Sequence, residues 1–218
     1  MKKIWIGLSM LLTVVAVAEF AWVKVDTRRQ HAGSHFASMT ASWVREPQPV
    51  SLPEFQLVGN HDRPFHLQDL RGQWHLLVFG YTSCPDVCPT TLSILSRTVK
   101  NMHKKGLTPV PKVVFISVDP DRDTPAHLAD YVTYFHKDFI GLTGTPAELK
   151  SLIHSLGSDY QIEKHGGTVT VNHPTSLFLV NPEGQLTGLF SHPTLPSKLG
   201  AEIKVALQSD PSTETFAP

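Results

Sequence analysis

Cysteine is scarce in this chain: only two of its 218 residues are cysteines, so at most one intramolecular disulfide can form. No charge of one sign dominates either, because 19 basic and 19 acidic side chains cancel. The lack of a basic surplus gives no indication of nucleic-acid binding, and the lack of an acidic block gives none of a solvating tail. The residues that are present, 41% hydrophobic against 17% charged, favour a folded globular domain over extended disorder.

One long hydrophobic run stands near the start, at residues 4–23, and only Glu19 interrupts it. Twenty helical residues reach about 30 Å, roughly the hydrocarbon thickness of a bilayer, so we expect residues 1–23 to form a membrane anchor. The alternative is a secretory signal sequence, because Ala16-Val17-Ala18 has the small-x-small form of a cleavage site. Either segment would place the following domain outside the cytoplasm of a bacterium, and an anchor would hold it at the periplasmic face of the inner membrane.

Two further segments have little periodicity. Residues 24–49 include Pro47-Gln48-Pro49 and are interpreted as a tether, and residues 209–218 as a flexible tail. The folded domain is therefore predicted to occupy residues 50–208. No internal repeat interrupts that range in the sequence.

Short apolar runs and amphipathic helices alternate through this domain. Strands are predicted at residues 74–80, 112–118, 175–180 and 185–190. Helices are predicted to begin near Pro89, Pro125 and Pro146. The order β-α-β-α-α-β-β predicts an α/β fold with a mixed central sheet flanked by helices.

The two cysteines, Cys84 and Cys88, lie directly after a predicted buried strand and at the start of a predicted helix. A structural disulfide is one interpretation, although residues four apart on a regular helix have Cβ atoms further apart than a disulfide allows. A redox dithiol is the second, because a helix N-terminus stabilises a thiolate. The arrangement of strand, cysteine pair and helix resembles that of thioredoxin-like oxidoreductases, which usually space the pair C-x-x-C.

A metal site is the third interpretation. Two thiolates on one helical face form a soft chelate, which favours Cu(I), with zinc as the competitor. A third ligand is then expected, and His173 is the candidate because it lies just before the strand predicted at residues 175–180. A single histidine in a loop is more often an ordinary surface residue, so this assignment stays open at this point.

Three acidic residues lie near the expected site. Asp86 separates the cysteines and could tune the thiolate charge or contact a partner, although an acid at a helix start is also favoured by the helix dipole. Asp119 and Asp123 follow the second predicted strand, where we expect them to form the turn and the helix cap.

Four segments resemble the Sco/SenC family of copper chaperones, and they occur in that family's order. They are FGYTSCPDVCPTTL (residues 79–92), VDPDRDTP (118–125), the run from Phe135 through FIGLTGTP (139–146), and NHPTSLFLVNPEG (172–184). The resemblance covers roughly residues 50–195. It implies a thioredoxin-like fold preceded by a single N-terminal transmembrane or signal segment.

The resemblance also implies a function. Cys84, Cys88 and His173 would bind one copper ion, which the protein would deliver to a respiratory oxidase subunit or another copper or thiol protein. Such a metallochaperone would not be an enzyme. The alternative is a thiol-disulfide oxidoreductase that reduces cysteines of a partner, with Cys84 as the attacking residue and Cys88 as the resolving one.

Two positions depart from the family pattern beside the ligand histidine. The family usually has aspartate before it and a small hydroxyl residue after it, whereas this chain has Asn172 and Pro174. A proline just ahead of this strand is found in thioredoxin-like reductases, commonly with a cis bond that faces the cysteines. Pro174 therefore favours the oxidoreductase alternative.

Overall fold

The computed structural model describes residues 42–59, 62–165, 168–191 and 195–210. The predicted anchor or signal sequence at residues 1–23 lies outside these ranges. Within them, no helix combines the length and the hydrophobicity that crossing a bilayer requires.

The strands of the described part form one large sheet and one hairpin. Their bounds are β1 (Trp43–Ser51), β2 (Gln56–Gly59), β3 (Pro64–His66), β4 (His75–Gly80), β5 (Lys112–Ser117), β6 (Ile140–Thr143), β7 (Gln161–His165), β8 (Thr168–Asn172), β9 (Leu177–Val180) and β10 (Gln185–Phe190). The large sheet has the order β1-β10-β9-β4-β5-β6-β2-β3. Strands β7 and β8 pair only with each other, as a separate antiparallel hairpin.

Helices cover this sheet, and most begin at a proline. Their bounds are α1 (Val87–Lys104), α2 (Pro125–Phe135), α3 (Pro146–Ser155) and α4 (Pro196–Gln208), with a short 3-10 helix at Leu67–Leu70. The Thr124 hydroxyl caps α2 and the Thr145 hydroxyl caps α3, where Glu148 completes a capping box. Proline suits the first helical position because its missing N–H has no partner to lose there.

The central strand and the helix that follows it are tightly packed in the core. Strand β4 is buried along all six residues and pairs in parallel with β5 and antiparallel with β9. Helix α1 buries one face that includes Leu92, Leu95, Val99 and Met102, and it packs beside α4. The carboxyl end of β4 and the start of α1 are thus held by core packing on several sides.

Most of the predicted central elements are confirmed, but the predicted tether extends too far. Strand β1 begins at Trp43, so residues 43–49, assigned to the tether, belong to an edge strand of the sheet. Residues 43–45 pair with β10, and the register shifts before pairing resumes at Val50. The two prolines and mostly exposed side chains of β1 conceal it, because an edge strand needs no hydrophobic alternation.

Candidate metal centre

Three candidate residues predicted from the sequence come together in the structure. The sulfurs of Cys84 and Cys88 and a ring nitrogen of His173 all lie within 4.8 Å of one another. Elsewhere in the described ranges, no further group of three such side chains converges in this way. The three ligand atoms therefore form one compact cluster.

Cys84 lies in the loop between β4 and α1 and not in the helix itself. Its backbone N–H donates to the Tyr81 carbonyl at 3.2 Å, which folds the loop back on the end of β4. Its sulfur accepts the Cys88 backbone N–H at 3.4 Å. The expectation that both cysteines share one helical face is wrong, because α1 begins at Val87 and Cys84 caps its open end from outside.

Cys88 lies in the first turn of α1 and is 2% exposed. Its sulfur packs against the backbone of Gly80 so closely that a Cβ on Gly80 would stand 2.9 Å from it. Glycine at the end of β4 therefore makes room for the buried sulfur.

His173 lies in the loop between β8 and β9 and points its Nε2 at the Cys88 sulfur, 3.5 Å away. Its Nδ1 lies 2.9 Å from the Pro174 carbonyl oxygen. Because a carbonyl only accepts hydrogen bonds, Nδ1 carries the ring proton and Nε2 presents its lone pair to the sulfurs. The His173–Pro174 peptide bond is trans.

The two thiols differ in acidity. Burial tends to raise the pKa of Cys84. Hydrogen bonds to its sulfur outweigh this effect and lower the pKa overall; they come from the backbone N–H and the thiol of Cys88 and from the backbone N–H groups of Asp86 and Val87. Burial, followed by the neighbouring Cys84, raises the pKa of Cys88 to about 12. Burial also lowers the pKa of His173, so its imidazole is neutral and able to act as a ligand.

Aromatic and charged side chains surround the imidazole. The Tyr81 ring meets the His173 ring edge to face, with centroids 5.8 Å apart. The Arg122 guanidinium lies 5.9 Å from the centroid of the Tyr81 ring and forms an ion pair with the buried Asp119. These contacts join the site to the turn that follows β5.

Asp123 braces the loop that carries Cys84. Its fully buried carboxylate accepts the Thr82 backbone N–H at 2.8 Å and the Thr82 and Ser117 hydroxyls at 2.5 Å each. It does not cap α2, which Thr124 does, so the helix-cap role expected from the sequence is wrong for Asp123.

The turn role is confirmed for Asp119, whose carbonyl accepts the backbone N–H groups of Arg122 and Asp123 at 3.2 and 3.0 Å. The remaining acid, Asp86, is exposed at the N-cap position of α1 and makes no side-chain capping bond there.

Sequence reasoning missed Tyr81 as a site residue. An aromatic residue directly after a buried strand ordinarily belongs to the hydrophobic core, and the sequence alone does not separate Tyr81 from such a residue. Its position at the carboxyl end of β4, three residues before Cys84, was the available signal.

The donor set determines the chemistry that is possible here. Two sulfurs and one neutral imidazole suit a soft ion such as Cu(I), and also zinc. The same two sulfurs could instead exchange with a disulfide.

Comparison with known proteins places this chain in a family. A protein of Stutzerimonas stutzeri, named as copper-binding, is 39% identical over 163 residues, which cover 74% of this chain and 78% of that protein. The mitochondrial SCO2 homolog of Bos taurus is 37% identical over 145 residues, and this chain spans about half, 54%, of its length. The crystal structure of Arabidopsis thaliana ScoI with copper bound matches with a TM-score of 0.67 and 30% identity, over 73% of this chain and 99% of that one.

The structural match confirms the predicted thioredoxin-like α/β fold, with its mixed sheet flanked by helices. The profile of the SCO1/SenC family matches residues 45–208, well over half of the chain. This chain therefore belongs to the SCO1/SenC family.

Proposed function

We propose that this protein is a copper metallochaperone, which binds one copper ion through Cys84, Cys88 and His173 and delivers it during assembly of a respiratory oxidase copper centre. The observation that carries the proposal is the convergence of three soft ligand atoms within 4.8 Å, with Nε2 of His173 facing the Cys88 sulfur. Copper in the name of the Stutzerimonas relative and in the Arabidopsis ScoI structure supports the choice of metal.

The ligand set suits a carrier that must release its cargo. Two thiolates and one neutral imidazole around Cu(I) give a net charge of about −1, and three ligands leave room for a fourth from a partner. Cys84 is the more exposed of the two cysteines. A cysteine of the partner can therefore reach the ion from the Cys84 side, and copper passes by ligand exchange.

The receiving protein is proposed to be a copper-receiving oxidase subunit or another copper or thiol protein, on the basis of the family. The apolar run at residues 4–23 supports an anchor that holds the domain at the periplasmic face of a bacterial inner membrane. A cleaved signal sequence would place the domain in the same compartment.

The test is copper binding by the full, reduced chain and its His173→Ala variant, with the exposed His127 changed to alanine as a matched control. We expect one copper per wild-type chain, with two sulfur and one nitrogen scatterers in X-ray absorption. His173→Ala should lose the nitrogen and bind Cu(I) about 100-fold more weakly, since a soft three-ligand site becomes a two-ligand site. His127→Ala should match the wild type.

Unchanged affinity and coordination in His173→Ala would refute the three-ligand site. Failure of the reduced wild-type chain to compete with a chelator for copper would refute the chaperone function as a whole.

The second candidate function is thiol-disulfide oxidoreduction, which the unequal acidity of the two thiols favours. The Cys84 thiolate, with its lowered pKa and greater exposure, would attack a partner disulfide and release one partner thiolate. Cys88 would then lose its proton and attack the Cys84 sulfur, forming the Cys84–Cys88 disulfide and releasing the second partner thiolate. Two electrons pass from the site to the partner.

Trapping distinguishes this candidate from the chaperone. With a disulfide-bonded peptide as substrate, Cys88→Ser should accumulate a mixed disulfide at Cys84, while Cys84→Ser should accumulate none. His173→Ala should reduce the peptide as fast as the wild type. Equal trapping by both cysteine variants would contradict the assignment of Cys84 as the attacking residue.

A further inference from the structure

Tyr81 contacts all three residues of the metal centre, although it offers no ligand itself. Its carbonyl accepts the Cys84 backbone N–H at 3.2 Å, and its ring meets the His173 imidazole edge to face at 5.8 Å. Its own backbone N–H is directed at the Cys88 sulfur, where it opposes the rise of the Cys88 pKa that burial and Cys84 cause. The side chain is 8% exposed, so it belongs to the floor of the site.

The imidazole depends on such a contact because of where it is attached. Both cysteines lie between the carboxyl end of the central strand β4 and the first turn of α1, whereas His173 lies in the loop that leads from β8 of the separate hairpin to β9 of the main sheet. The hydrogen bond to the Pro174 carbonyl selects the ring tautomer, but it lies within the same loop and moves with it. The ring of Tyr81 ties the imidazole to the body that holds the sulfurs.

Tyr81 is itself held from the opposite side. It directly follows β4, whose residues are all buried, and the Arg122 guanidinium lies over its ring. Arg122 is in turn fixed by the buried carboxylate of Asp119. A cation over the face of a tyrosine ring restricts that ring's orientation.

We propose that Tyr81 is a positioning residue whose ring holds the His173 imidazole in place as the third ligand of the metal centre. This inference rests on the proposed copper function. Tyr81 determines whether His173 binds the metal as the third ligand. Binding of copper to the two cysteine sulfurs does not depend on Tyr81. The contact with the imidazole requires an aromatic ring. The Tyr81 hydroxyl has a different partner, the Cys84 side chain, with which it forms a hydrogen bond.

The variants Tyr81→Phe and Tyr81→Leu separate the ring from the hydroxyl. In the full reduced chain, Tyr81→Phe should keep the wild-type coordination of one nitrogen and two sulfurs, because it keeps the ring that faces the imidazole. Tyr81→Leu should bind Cu(I) about 10-fold more weakly and show less than one nitrogen scatterer per copper, with both sulfurs retained. Thermal unfolding of each apo variant establishes that it is folded.

A double-mutant cycle with His173→Ala tests whether Tyr81 acts through the imidazole. If it does, Tyr81→Leu costs affinity in the wild-type background and almost none in the His173→Ala background. An equal loss in both backgrounds would assign Tyr81 a general structural role and overturn the proposal. So would wild-type coordination in a folded Tyr81→Leu variant.

The apo wild-type protein provides a measurement that needs no variant. Nuclear Overhauser contacts between the ring protons of Tyr81 and His173 are expected, with the His173 proton on Nδ1 in long-range nitrogen spectra. Absence of the ring contacts would overturn the proposal even if Tyr81→Leu does not fold. Wild-type protein that binds no copper, or binds it without nitrogen, would instead refute the proposed function, so the two failures are distinguishable.

Discussion

His75 shows how one buried residue makes stability depend on pH. It lies in β4, is 1% exposed, and its Nε2 has no hydrogen-bond partner while Nδ1 contacts the Gln73 carbonyl at 3.1 Å. Burial lowers the pKa of His75 from 6.5 to about 4. Between those values the unfolded chain binds a proton that the folded chain does not, so folding stability falls as the pH falls.

We expect the wild type to lose roughly 3 kcal/mol of unfolding free energy through His75 between pH 7 and pH 4. His75→Phe should be less sensitive to pH across this window, because phenylalanine takes up no proton. Denaturant titrations at pH 7, 5.5 and 4 measure the slope, and His127→Gln, which changes an exposed histidine, serves as the control. A wild-type slope in His75→Phe would show that other groups carry the acid sensitivity.

At the residue scale, the sequence predicts the proposed metal ligands, but it does not predict the residues that hold those ligands in place. Cys84 and Cys88 are conspicuous because thiols are rare in the chain, and His173 is indicated by its position before the strand predicted at residues 175–180 and by the family motif. Tyr81 and the loop-bracing role of Asp123 depend on which side chains the fold brings together. Thr82 and Ser117, which share the Asp123 carboxylate, are 35 positions apart in sequence, and no local pattern connects them.

The packing of β4 against α1 is the element-scale feature on which the centre depends. A Cβ on Gly80 would lie 2.6 Å from Cε2 of Phe115 as well as 2.9 Å from the Cys88 sulfur. Both neighbours are buried, so neither has room to move aside. Substitution must therefore shift the sulfur, the ring or the strand.

Gly80→Ala should lower the unfolding free energy by about 1–3 kcal/mol, as overpacked cores do, and weaken copper binding by displacing Cys88. Gly200→Ala in α4 is the matched control, since its nearest neighbours would stand 3.6 Å from the new Cβ. Alanine there should be neutral or stabilising by up to about 1 kcal/mol. Denaturant unfolding of both variants measures the contrast, and equal effects would contradict the packing argument.

The elements that sequence predicts are those with a strong hydrophobic pattern. The bounds of strands β4, β5, β9 and β10 were predicted within two residues, and so were the starts of helices α1, α2 and α3. Strand β6 was missed because it has only four residues, one of them glycine. The hairpin of β7 and β8 was missed because its strands, QIEKH and TVTVN, contain no continuous apolar run. Helix α4 could have been predicted, since Pro196 starts it and Leu199, Ile203 and Leu207 recur at helical spacing.

At the scale of the whole molecule, the folded unit begins earlier than composition indicates. The ring of Trp43 packs on the buried Phe190 with centroids 4.7 Å apart, and β1 covers the outer edge of β10. The Ser42 backbone N–H donates to the Glu202 carboxylate at 3.1 Å, which ties the start of β1 to α4. Residues 42–49 thus add an edge strand to the sheet and connect that edge to helix α4.

A chain that starts at residue 50 should therefore be less stable than one that starts at residue 42. Exposing Phe190 and unpairing β10 should cost at least about 2 kcal/mol of unfolding free energy. Denaturant unfolding of the two fragments, with light scattering for aggregation, measures the difference. Equal stability would show that the edge strand is dispensable.

The position of His173, in the loop between the separate hairpin and β9, has a consequence for the stability of the domain. Cys88 and His173 are 85 positions apart along the chain. An ion bound by both residues would act as a reversible cross-link between them. In the chain-entropy model, a cross-link that closes a loop of this length stabilises the folded state by roughly 4 kcal/mol, because it lowers the entropy of the unfolded chain. The copper-bound form would therefore be more stable to unfolding than the apo form, and release of the ion would remove this constraint from the loop that carries His173.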